Sequence, residues 1–160
     1  MKFTKQVSIN APADKVWEVF AHDFANVGVW ATAVSRSDVH KDVAPVNNSP
    51  VGGRVCQTDF GAVNEDFTAY DEQNKTLSYK GSIKSKTLTS LTNTAELTSP
   101  DGNTTIVKIT PEVKLSFIGM IMYPMIRMQL SKVTDEVLDD LKYYVENGKP
   151  SPRKLASQKK

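Results

Sequence analysis

Three side chains able to orient or act on a polar group fall on neighbouring predicted strands: Arg54, Glu65 and Tyr79. An arginine, a carboxylate and a phenol facing one pocket would anchor a ligand's polar end, polarise a carbonyl or move protons. The plainer reading places the two charges on the solvent face of a sheet or at strand ends, where an ion pair implies no site. A buried Arg–Glu pair is costly unless fully hydrogen-bonded, so the same two residues would mark a site if they pointed inward. Trp30 carries a similar choice: it either closes one end of a cavity or staples a second short helix to the sheet.

Other chemistries lack their residues. His22, His40 and Cys56 do not have metal-ligand spacing. Cys56 alternates with Val55 and Gln57 on a predicted strand, which suits a buried, inert thiol. His22 falls at a helix end, where a histidine interacts with the terminal carbonyls. Val51-Gly52-Gly53-Arg54 lacks both the spacing and the lysine of a phosphate-binding loop. No metal and no cofactor are expected.

An apolar stretch near the C-terminus offers a different kind of site. Met120, Met122, Met125 and Met128 surround Pro124, with Tyr123 and Arg127 among them. Methionine adapts to irregular shapes, so this segment would suit the lining or gate of a pocket for a flexible apolar ligand, or simply fill gaps in a core. Arg127 would reach a ligand's polar group or snorkel to water. Pro124 either kinks a helix or begins one.

Length and charge bound the rest. The chain has 160 residues and a formal net charge of +2, so neither nucleic acid nor a membrane is implied as its main partner. One cysteine excludes an internal disulfide and suits a reducing compartment. Residues 1–9 lack the apolar run of a signal peptide, and the apolar window near residues 117–126 is too short to span a bilayer, so the reading is cytoplasmic with no integral membrane segment. Nothing specifies an oligomeric state.

The elements that must position these residues follow from periodicity. Residues 2–9 alternate as a strand with one buried face. Asn10-Ala11-Pro12 starts a short helix with Val16, Trp17 and Phe20 on its apolar side, and a second short turn precedes Trp30. Strands are predicted at about 34–39, 54–60, 65–70, 76–81, 87–98 and 104–113, the last two flanking the turn Ser99-Pro100-Asp101-Gly102. Ile126, Leu130, Val133, Val137, Leu141 and Tyr144 then recur at helical spacing, with Asp139 and Asp140 among the residues on the polar faces. Grouped strands and segregated helices make the fold class α+β, with the long helix laid across the concave face of the sheet. The basic, proline-containing stretch 149–160 reads as a disordered tail after a single domain, 1–148.

Ile9-Asn10-Ala11-Pro12, Val16-Trp17, Asp23-Phe24 and Trp30, followed by Gly53-Arg54, Glu65, Tyr70-Asp71 and Leu77-Ser78-Tyr79, resemble the START-like polyketide cyclase/dehydrase superfamily. The resemblance spans residues 3–148 and rests on structural, hydrophobic positions. It implies a helix-grip fold, a curved antiparallel sheet wrapped round the C-terminal helix, with two short helices after the first strand and a cavity for an apolar ligand. The function expected is binding of a hydrophobic small molecule by Trp30, Arg54, Glu65, Tyr79, Met120, Tyr123, Met125, Arg127 and Met128. The alternatives are a cyclase/dehydrase-type enzyme using the polar groups of the pocket, and a protein-interaction module docking through the methionine-rich segment.

Overall fold

Apolar alternation and turn chemistry carry the chain into seven antiparallel strands. A computed structural model describes residues 1–159. Strand β1 (Lys5–Ile9) leads through Ala11-Pro12 into α1 (Ala13–Trp17), a π-helical turn (Glu18–His22), a 3-10 turn (Phe24–Asn26) and α2 (Val27–Trp30). There follow β2 (Arg36–Val39), β3 (Gly53–Thr58), β4 (Gly61–Asp71), β5 (Thr76–Ser82), β6 (Leu88–Thr98) and β7 (Thr105–Leu115). Helices α3 (Phe117–Ile121), α4 (Tyr123–Asn147) and α5 (Pro152–Ser157) complete the described chain.

The sheet order is β1-β7-β6-β5-β4-β3-β2, so β2 to β7 form a meander and β1 returns to pair with β7. Register shifts between Phe67 and Ala69 in β4, and between Leu88 and Ser90 in β6, mark bulges, which bend a strand and increase its twist. The long helix lies against the sheet, and the whole is the helix-grip arrangement expected from the sequence. Pro124 sits in the first turn of α4, where its missing N–H costs nothing, and Gly148 ends the helix at φ 68°, a conformation glycine adopts freely.

Along α4 the inward stripe changes character. Leu138, Leu141 and Val145 are fully buried and join a core built from Ile9, Val16, Trp17, Phe24, Leu77, Leu97 and Val107. Leu130, Val133 and Val137, nearer its start, are only half-buried.

Two expectations are corrected here. Residues 149–159 are not a disordered tail: Ser151 caps α5 by accepting from Lys154 N, and Lys154 is fully buried, its Nζ donating to Val34 O at 2.6 Å. Lys160, the last residue of that stretch, lies outside the described residues. Asp140 is likewise not on a polar face. It is buried, and accepts from Thr32 N at 2.7 Å, Ser151 Oγ at 2.7 Å and Arg153 Nη2 at 2.9 Å. Burial pushes the Lys154 pKa down, against the attraction of Asp140.

Asp140→Ala should therefore cost about 2–4 kcal/mol in urea unfolding, since three donors lose their acceptor together. It should also make the Arg153–Lys154 bond newly sensitive to trypsin; unchanged stability and cleavage would show the tail does not depend on Asp140. A second expectation concerns His22, held between Glu18 at 2.6 Å and Glu72 at 3.0 Å. The hydrogen bond to Glu18 raises its pKa above the ordinary 6.5, against desolvation and with help from Glu72. A raised folded-state pKa means that this contribution is complete below 6.5 and is lost as pH climbs through the folded value. His22→Gln should flatten the stability profile across that window, and an unchanged slope would refute the assignment.

Candidate functional site

Where α4 lifts from the sheet, a cavity of about 480 Å³ opens between them. Its roof is Ile126, Leu130, Val133, Thr134 and Val137 of α4. Its floor and walls come from β3 to β7, through residues such as Arg54, Cys56, Glu65, Tyr79, Asn93 and Ile109, and from Phe20, Val27, Trp30 and Val34 on the segment after β1. One end reaches the β3–β4 turn at Phe60 and the β5–β6 loop, residues 83–87.

Of the nine residues expected to bind a ligand, four line this cavity: Trp30, Arg54, Glu65 and Tyr79. The other five do not. Met120, Tyr123, Met125, Arg127 and Met128 are exposed on the outer side of α3 and the first turns of α4. The reason is directional: the inward stripe of the helix runs 126, 130, 133, 137, and the methionines occupy the remaining sides. The stripe itself, Ile126, Leu130, Val133 and Val137, lines the cavity although none of its residues is among the nine expected to bind a ligand.

The polar end of the cavity is built around Arg54. The hairpin register sets Arg54 directly opposite Glu65, with Cys56 two residues along on the same face of β3. Arg54 is 6% exposed. Its Nε donates to Glu65 Oε2 at 2.6 Å, Nη2 is ion-paired with the same oxygen at 2.6 Å, and Nη1 donates to Phe24 O at 2.8 Å. The guanidinium stacks on the Phe24 ring, 3.8 Å from its centroid, and lies 5.5 Å from that of Tyr79. Burial is the largest single influence and discourages this charge, but the Glu65 carboxylate together with Cys56 and Tyr79 more than offsets it and holds the Arg54 pKa above its ordinary value.

The neighbouring protons are held tightly. Burial pushes the Cys56 thiol up to about 12, against the pull of Arg54, and the thiol contacts Glu65 Oε2 at 3.7 Å. Burial, with Glu65 beside it, also raises the Tyr79 hydroxyl well above its ordinary value. Trp30 is 2% exposed and its indole Nε1 has no hydrogen-bond partner among the described residues. Among the described residues no three His, Cys, Asp or Glu side chains converge as metal ligands would.

A curved antiparallel sheet gripping one long helix over an apolar cavity with one polar pole is the START-like helix-grip fold. The chain belongs to the family described as polyketide cyclase/dehydrase and lipid transport, whose model matches residues 1–146. Among curated proteins none matches in sequence. Solved structures share the fold at low identity. A START superfamily protein from Mycobacterium smegmatis has a TM-score of 0.72 at 13% identity, covering 91% of this chain and 97% of that one. The Zhui aromatase/cyclase from Streptomyces sp. R1128 has 0.67 at 13%, covering 94% and 99%. One half of the di-domain aromatase/cyclase BexL, from the BE-7585A biosynthetic pathway, has 0.73 at 13%, covering 91% of this chain and 46% of that one. Fold and family together support a ligand-binding or a cyclase role.

Removing the counter-charge tests the pole. Glu65→Ala leaves Arg54 buried and unpaired and should cost about 3–5 kcal/mol in urea unfolding, with Glu65→Gln losing less. A loss below about 1 kcal/mol would mean that the pair is not desolvated. In the folded protein Cys56 should resist Ellman's reagent at mildly alkaline pH and react only after denaturation.

Proposed function

We propose that this protein binds an apolar small molecule within the cavity under α4, and that the ligand's polar group is an uncharged hydrogen-bond acceptor, such as a ketone or ester carbonyl. The observation that carries this reading is the state of the polar pole: its cation, Arg54, is already paired with Glu65, while the Tyr79 hydroxyl beside it keeps its proton and can donate. Arg54 is ion-paired with Glu65 through Nε and Nη2 and gives Nη1 to Phe24 O, so a ligand carboxylate at this pole would find the positive charge already paired; the other lining cations, Lys84 and Lys86, stand on the β5–β6 loop. The Tyr79 hydroxyl, on the cavity wall, keeps its proton across neutral pH and can donate it to a ligand acceptor. The remaining lining is mostly aliphatic and aromatic, and about 480 Å³ falls within the range of small-molecule pockets.

The same features weigh against a proton-transfer enzyme. Cys56 and Tyr79 both hold their protons too firmly to exchange them near neutrality, and the Glu65 oxygen facing Arg54 is occupied by that pair. They favour holding a ligand over transforming it.

Displacement of a neutral apolar dye, Nile red, followed by native mass spectrometry, tests the reading. Leu130→Trp, which fills the cavity, should abolish dye uptake. A long-chain methyl ketone should displace the dye at lower concentration than the fatty acid of equal length. Tyr79→Phe should weaken the ketone about 2–10-fold, the worth of one hydrogen bond, and leave a plain hydrocarbon unaffected. Dye uptake indifferent to Leu130→Trp would overturn the cavity as the binding place; tighter binding of the carboxylate would overturn the neutral-acceptor assignment.

A further inference from the structure

We infer that the cavity end bearing α3 is a docking surface for anionic lipid membranes. At this end the protein exposes apolar side chains that nothing in the fold covers. Phe117 is 73% exposed, Ile121 70% and Met128 69%, and Ile118, Met120 and Met125 are also exposed. Ile118, Ile121, Met125 and Met128 follow one another at helical spacing, and the hydrogen bonds Met122 N to Ile118 O and Ile126 N to Met122 O carry α3 almost continuously into α4. The result is a ridge of large apolar groups along the outer side of the helix start. An exposed apolar surface this continuous marks an interaction site.

Charge selects the occupant. The β5–β6 loop packs against α3: Ser116 N donates to Thr87 O at 2.9 Å and Ser116 Oγ to Lys86 O at 2.7 Å. Gly119 allows this approach, since a Cβ there would stand 2.1 Å from Thr87 O. Lys84 and Lys86 are therefore held beside the ridge, and Lys114 and Arg127 flank it, all four exposed. No Asp or Glu occurs from Gln73 to Ala95 or from Val113 to Thr134. The adjacent β3–β4 turn adds one apolar side chain, Phe60, and one carboxylate, Asp59. Apolar groups ringed by cations match an anionic lipid surface, where the ridge enters the acyl boundary and the lysines meet the headgroups. A second copy of this chain would bring the same cations face to face, which disfavours self-association through this surface.

The position of the surface adds a consequence that rests on the ligand reading above. Phe60, Lys84 and Lys86 line the cavity as well as this end of the molecule, so a ligand leaving a bilayer would enter without crossing water. The docking itself stands whether or not the cavity holds a ligand.

Co-sedimentation of the full chain with vesicles tests it. The protein should pellet with vesicles of phosphatidylcholine mixed with phosphatidylserine, much less with phosphatidylcholine alone, and progressively less as salt rises. Phe117→Ser with Ile121→Ser, both at exposed positions, should reduce partitioning at least tenfold, by roughly the loss of two apolar side chains. Lys84→Glu with Lys86→Glu should reduce it by a similar factor, each surface cation being worth roughly fivefold. Lys41→Glu, at the opposite end of the sheet, should leave it unchanged. Equal binding to neutral and anionic vesicles, no binding to either, or binding indifferent to the Phe117/Ile121 pair would overturn the inference. So would a dimer in sedimentation velocity, or a complex with an acidic protein, that depends on Phe117 and Ile121 while vesicles are ignored. Wild-type lipid and salt dependence decide the matter even if a variant folds poorly, and Nile red uptake, measured separately, tells failure of the surface from failure of the cavity.

Discussion

A helix of 25 residues cannot lie flush against a strongly twisted sheet along its whole length, and most of this molecule follows from that mismatch. α4 packs tightly where Leu138, Leu141 and Val145 meet the core beside β1 and α1. Toward its start the sheet curves away, and the same inward stripe, continued by Val137, Val133 and Leu130, faces empty space. The stripe is continuous in sequence and divided in role: the second half contributes stability, while the first roofs a cavity. Its half-buried side chains give up packing contacts that a solid core would have kept.

The polar pole obeys a second constraint. A guanidinium inside a protein must be neutralised and hydrogen-bonded, and Arg54 is both, through Glu65, the Phe24 carbonyl and the faces of two aromatic rings. This arrangement places a charged residue in the cavity wall without offering the cavity a net charge. The same pair ties β3 and β4 to the turn that follows α1, so the wall of the site and the joint between sheet and short helices share their bonds.

Much of this was legible in the sequence, and the parts that were not have physical reasons. The strands, their order, the short helices after β1 and the inward stripe of α4 were all expressed by periodicity. The Arg54–Glu65 pairing follows from a short turn at Asp59–Phe60, but periodicity alone does not say which face of the sheet is inward, so the sequence favours the solvent face for these charges, whereas the fold buries Arg54. The methionines misled because an apolar residue beside an apolar helix reads as buried by composition, while burial is decided by direction. The docked C-terminus was hidden for the opposite reason. Its anchoring residues, Ser151, Arg153 and Lys154, are of types that favour water, and they are held by partners more than ten residues away, Asp140 and the Val34 carbonyl.

That anchoring reaches further than the end of the chain. The segment after α2 that provides Ala33 and Val34 to the cavity wall is fastened from behind, Thr32 by Asp140 and Val34 by Lys154. Residues 151–154 thus act as a brace on one side of the cavity, from beyond the portion that the family model matches. Proteins sharing this body but differing in this segment would present differently shaped cavities, so the cavity's form can change without any substitution in its lining.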